Sequence, residues 1–77
     1  MNAERPTALR KGSVVVSGHR TSISLEEAFW RALGDIARSE GRSINRLVSE
    51  IDASRTGNLS SAVRVYILEL FQRRIML

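Results

Sequence analysis

Polar and apolar positions alternate strictly from Arg20 to Leu25, with Arg20, Ser22 and Ser24 on one side and Thr21, Ile23 and Leu25 on the other. A period of two marks a strand with one wet and one buried face. Beyond it the period lengthens. Phe29, Leu33, Ile36 and Ala37 fall at i, i+4, i+7 and i+8, which predicts a helix running from just after Leu25 to about Glu40. Ser24 and Glu27 have the spacing of a capping box, and Gly41 is placed to end this helix in the left-handed conformation. Trp30 lies beside the apolar stripe and is expected to pack in a core or dimer interface. Ser43 is an N-cap candidate for a second, shorter helix, on which Ile44, Leu47, Val48 and Ile51 share a face and which ends near Ala53. After a loop over 54–58, a third helix is predicted from about Leu59 or Ser60 to Arg74. Its apolar positions (Leu59, Ala62, Val63, Tyr66, Ile67, Leu70 and Phe71, flanked by Val65 and Leu68) cover so much of its circumference that burial on more than one side is implied.

The expected fold is therefore mainly α with one short β-strand. Such a strand cannot stand alone. No second strand with a hairpin turn follows it, so the simplest partner is the same strand of a second copy of the chain. The apolar girth of the third helix asks for a second copy independently. The predicted dimer core comprises Ile23, Leu25, Phe29, Trp30, Leu33, Ile36, Leu47, Val48, Ile51, Val63, Ile67 and Leu70. Val14-Val15-Val16 is strongly β-prone. It either extends the strand, with Ser17-Gly18 as a bulge, or forms a separate short strand at the ribbon edge; the sequence leaves both open. Residues 1–13 carry no period and read as a flexible basic arm preceding a domain over 14–77.

Size and composition narrow the chemistry. A 77-residue chain without cysteine has no disulfides or thiolate metal sites, and a single histidine, His19, excludes a histidine-rich metal site. Small domains lacking these devices commonly oligomerise. No targeting or membrane segment appears, the longest apolar run being 65–68, so a cytoplasmic protein without membrane contact is expected. Twelve Lys and Arg against eight Asp and Glu give a net charge of +4, and eleven of the twelve cations are arginine. Arginine is the side chain best suited to phosphate and to guanine edges. Nothing converges as a catalytic site would: Glu26 and Glu27 are adjacent and splay apart, and His19 has no nearby acid to orient it. The chain is not expected to be an enzyme or to hold a cofactor.

The strand offers different chemistry. A two-stranded ribbon fits the major groove of B-form DNA, where its open face meets base edges. Arg20 suits guanine O6 and N7, and the hydroxyls of Ser22 and Ser24 suit either kind of base, although an ordinary solvated strand face would alternate in the same way. The start of the second helix, at Ser43, Ile44 and Asn45, offers backbone N–H groups to a phosphate, with Arg42 and Arg46 alongside. Arg10 and Lys11 of the arm are further phosphate candidates.

Strand, helix, Gly-x-Ser turn and second helix, taken together, resemble the ribbon-helix-helix (Arc/MetJ-type) DNA-binding family. The likeness is specific to a bacterial branch. It is carried by Gly18-His19-Arg20-Thr21-Ser22, Ser24-Leu25-Glu26, Phe29-Trp30, Ile36-Ala37, Gly41-x-Ser43, Leu47-Val48, Ile51-Asp52 and Asn58-Leu59-Ser60-Ser61-Ala62-x-Arg64-Val65. The resemblance implies an intertwined homodimer with an intermolecular antiparallel ribbon, Arg20, Ser22 and Ser24 facing the groove, and a phosphate clamp at the turn around Ser43. Relatives often carry a basic residue at the position of Ser24 and another near Val15. By that departure this ribbon is expected to hold DNA less tightly or to lean more on its arm. The implied function is sequence-specific binding of double-stranded DNA by a transcriptional repressor. The alternative is an antitoxin-like or other interaction module whose additional C-terminal helix binds a protein partner.

Overall fold

A computed structural model describes residues 5–76. Two strands and three helices follow in order: β1 (Leu9–Val16), β2 (His19–Glu26), α1 (Glu27–Ser39), α2 (Ile44–Ser54) and α3 (Leu59–Met76). The strands form an antiparallel hairpin within one chain. The predicted strand is β2, but its partner is the segment before it, so a second copy is not needed to pair it. Ser17 and Gly18 connect the two with φ of 53° and 80°. Two successive left-handed residues make the primed turn whose twist suits a tight hairpin. Ser17-Gly18 is thus a turn and not a bulge, and Val14–Val16 belong to a separate strand much longer than those three residues.

The expected arm is accordingly corrected. Residues 9–13 are strand, and 5–8 fold back on the start of α1; residues 1–4 lie outside the described part of the chain. The amides of Glu27 and Ala28 donate to the carbonyls of Ala8 and Pro6 at 2.8 and 3.0 Å. These bonds satisfy two of the four amides that a helix start leaves open. Ser24 therefore does not cap α1. It lies within β2, and the N-cap residue, Glu26, makes no side-chain capping bond.

The turn from α1 to α2 follows the sequence reading. Gly41 has φ of 67°, its amide donates to Arg38 O, and the next amide, of Arg42, reaches Ala37 O at 2.9 Å. This paired arrangement is the Schellman motif that left-handed glycine permits. Ser43 then caps α2, its hydroxyl accepting from the Arg46 amide at 3.1 Å. Asn58 does the same for α3, accepting from the Ser61 amide at 3.0 Å.

One face of the hairpin and the three helices enclose the core. Val14, Val16, Ile23 and Leu25 from the sheet meet Leu33, Ile36 and Ala37 of α1, Leu47, Val48 and Ile51 of α2, and Val63 and Ile67 of α3. Phe29, Trp30 and Leu70 are partly buried against it. The residues predicted to build a dimer core thus already pack together inside one chain. Phe71 of α3 is exposed, as are Val65, Leu68 and Ile75.

Trp30 has a defined seat. Its ring lies over Gly12, where an added Cβ would come within 2.7 Å of it. The indole N–H donates to Arg10 O at 2.8 Å, and the Arg10 guanidinium stacks 4.9 Å from the ring centre. A methyl group at Gly12 would displace the ring. Gly12→Ala is expected to cost about 1–3 kcal/mol, the usual penalty of overpacking. Urea unfolding of the variant measures this, and the cost should shrink when Trp30 is also replaced by leucine.

Candidate nucleic-acid interface

Paired residues of an antiparallel ladder project to the same face. The register sets Val15 opposite Arg20, Ser13 opposite Ser22, and Lys11 opposite Ser24. These are the outward-facing rungs, alternating with core-facing rungs such as Val14 opposite Thr21 and Gly12 opposite Ile23. Arg20 and Ser22 are exposed and Ser24 is half-buried, so the three strand residues singled out from alternation do share one open face. Arg20 forms no hydrogen bond or ion pair among the described residues.

Arg10 and Lys11 are separated by the same alternation. Lys11 stands on the open face. Arg10 points the other way, stacked on Trp30 with its Nε 2.7 Å from Glu27 Oε1. Its charge is already matched, and its placement in β1 removes the reach that an arm would have given it.

Both outer edges of the hairpin are held by pairs of polar side chains one helical turn apart. On β1, the Val15 amide donates to Asn45 Oδ1 at 3.1 Å, and the Ser49 hydroxyl donates to Val15 O at 3.4 Å. On β2, the Ser24 amide donates to the Ser60 hydroxyl at 3.1 Å, and Arg64 Nη2 donates to Ser24 O at 3.1 Å. Residues i and i+4 lie on one helix face, so each pair can serve both the N–H and the C=O of one strand residue. The sequence pattern marks none of these four as an edge-binding residue. Asn45 stands out there only for its backbone amide, and the strand residues served lie 30 to 40 positions away.

The Asn45 bond seats the first turn of α2 against the β1 edge, at the rung that carries Arg20. Ser43 caps that turn, leaving the Ile44 and Asn45 amides without an acceptor among the described residues. The cations flanking it differ. Arg42 is clamped, with Nη2 2.7 Å from Glu40 Oε1 and Nη1 paired with Glu50 Oε2, and these carboxylates raise its pKa further above the ordinary arginine value. Arg46 is exposed, and its guanidinium has no ion-pair partner among the described residues. Of the two, Arg46 has the uncommitted charge.

At the far end of the ribbon Glu26 accepts from Arg64 Nε at 2.8 Å. The Arg64 hydrogen bond lowers the Glu26 pKa from its ordinary value, with the bond to its own backbone acting in the same direction. A carboxylate whose folded-state pKa is depressed contributes stability above its unfolded pKa and loses it as pH falls through the folded one. Wild type is therefore expected to lose stability on acidification below the normal glutamate range, and Glu26→Gln to lose less. Urea midpoints across that range, compared between the two proteins, measure the difference.

The family model for the ribbon-helix-helix domain matches residues 9–71 of this chain. The chain belongs to the ribbon-helix-helix family. No curated protein matches it. Among solved structures, an uncharacterized protein from Bordetella pertussis Tohama I is similar, with a TM-score of 0.76 and 24% sequence identity. The alignment covers 99% of this chain and 67% of that one. At that identity the likeness concerns the fold, and it extends to the third helix as well as the ribbon and first two. The family match likewise begins at Leu9, the first residue of β1, so it includes both strands of the hairpin.

Proposed function

We propose that this ribbon-helix-helix chain is a sequence-specific DNA-binding protein, a transcriptional repressor, that lays its ribbon in the major groove of duplex DNA. Arg20, Ser22 and Ser24 contact bases. Arg46 and the amides of Ile44 and Asn45 contact a phosphate beside the groove. The observation that carries this reading is the Val15–Asn45 hydrogen bond, which couples an open helix N-terminus to the rung bearing an unpaired arginine. A phosphate gripped there fixes the register in which Arg20 meets a base. A repressor so placed excludes other proteins from the same groove.

Two copies acting together match the two-fold symmetry of a palindromic site. With the hairpin closed within each chain, the second copy is not needed to complete a ribbon. It covers the exposed side of α3, where Val65, Leu68, Phe71 and Ile75 stand open. The same stripe supports the second reading, a protein partner bound through α3. Sedimentation at micromolar concentration distinguishes them: a dimer that Leu68→Glu dissociates favours self-association, and a monomer leaves the stripe for another protein.

Binding to duplex DNA, followed by fluorescence anisotropy from low to physiological salt, tests the reading. Affinity should fall linearly on logarithmic axes as phosphate-bound counterions are released. Arg46→Ala should weaken binding on all sequences alike and reduce the slope by about 1 per site occupied. An unchanged slope would remove Arg46 from the phosphate contact, and no binding at low salt would refute the DNA-binding reading.

A further inference from the structure

The base-reading residues above all come from β2, yet the open face has a second strand. Lys11, Ser13 and Val15 of β1 stand opposite Ser24, Ser22 and Arg20. Neighbouring strands lie about 4.8 Å apart, so one chain alone presents a face two side chains wide. Lys11 and Arg20 stand at opposite corners of it. Glu26, one rung beyond Ser24, is neutralised by Arg64. Between Lys11 and Arg20 the face is thus cationic and hydrogen-bonding, complementary to a groove of DNA, and the exposed Leu9, opposite Glu26, ends it.

Val15 departs from that pattern. Its neighbours Val14 and Val16 face inward and are 2% and 7% exposed, whereas Val15 faces out and is 40% exposed. It belongs to no part of the core, although its backbone N–H and C=O are both held from α2, by Asn45 and Ser49. An apolar, β-branched side chain is therefore fixed on a polar face, directly across from an unpaired arginine.

Resting on the DNA-binding reading, we propose that β1 forms half of the recognition surface. Val15 is a specificity determinant that contacts the 5-methyl group of a thymine next to the guanine taken by Arg20. Thymine is the base that presents an apolar group in the major groove, and a fixed isopropyl group complements it. Ser13 and Lys11 continue the face toward the next base pairs. The arginine–valine rung reads a guanine–thymine neighbour pair, with each strand of the hairpin supplying one side chain.

The test begins with the duplex that wild type enriches from a random pool. Each thymine of that site is replaced in turn by deoxyuridine, which removes only the methyl group. Wild type should bind about fourfold more weakly at one position, the equivalent of one buried carbon group. That position should adjoin the guanine whose substitution no longer matters to Arg20→Ala. Val15→Ser should bind the thymine and deoxyuridine duplexes equally, while Val15→Ile keeps the preference. Circular dichroism melts check that both variants are folded, and a wild-type deoxyuridine series with no thymine effect is decisive without them. An enriched site with no thymine effect, or one that Val15→Ser retains, would overturn the role of Val15 and leave DNA binding standing. Failure to enrich any site would overturn both.

Discussion

Leu25→Ala is expected to lower the stability of the chain by about 2–5 kcal/mol, the range for emptying a fully enclosed leucine site. Leu25 is 0% exposed and is the last core residue of β2 before α1 begins. It fastens the ribbon to the helices at the point where one becomes the other. A domain of this size has a total stability of roughly 4–12 kcal/mol, at the usual value per residue. The loss is therefore large enough to leave a substantial unfolded population. Ser22→Ala, on the open face of the same strand, should change stability by less than about 0.5 kcal/mol. Urea denaturation of the two variants beside wild type measures the contrast. Equal small effects would mean that β2 does not pack on the helices as described.

Arg20→Ala should do the reverse, leaving the fold intact and weakening specific DNA binding by about 1–3 kcal/mol. The guanidinium has no partner among the described residues, so its removal empties no internal contact. On the proposed reading its value lies in two hydrogen bonds to one guanine, which a different base cannot accept in the same geometry. The loss should appear on the preferred site and be much smaller on unrelated duplexes, so the ratio between them shrinks. An equal loss on every sequence would make Arg20 a phosphate contact. Thermal melts of the variant should coincide with wild type.

These opposite expectations follow from the alternation of β2, which is legible in the sequence. The helices are legible too, to within a few residues, because their apolar periods are regular and Gly41 and Ser43 carry unambiguous end signals. The strand β1 is not. Its core-facing positions begin with Arg10 and Gly12, and the apolar bulk that normally fills such sites is supplied from α1 by Trp30. Leu9 and Val15 meanwhile face outward, so apolar and polar positions are partly exchanged relative to a half-buried strand. Without β1 the predicted strand has no partner in its own chain, and only a second copy could pair it.

Ser24 illustrates a related limit. Its spacing to Glu27 fits a capping box, but its amide is spent on Ser60 and the start of α1 is served by Pro6 and Ala8. Local spacing cannot reveal a competing acceptor 36 positions away. The same holds for the Asn45–Ser49 and Ser60–Arg64 pairs, whose polar character resembles ordinary helix surface until the strand edges are placed beside them. Adjacency groups Arg42 with Arg46, and only the folded positions of Glu40 and Glu50 separate the clamped cation from the open one.

The most direct test of groove reading by the ribbon is selection from a random duplex pool with wild type and Arg20→Ala side by side, at physiological salt. Wild type should enrich a defined site containing a guanine whose replacement abolishes the preference, and Arg20→Ala should fail to enrich it. Enrichment of the same site by both proteins would take base recognition away from Arg20 and contradict that role.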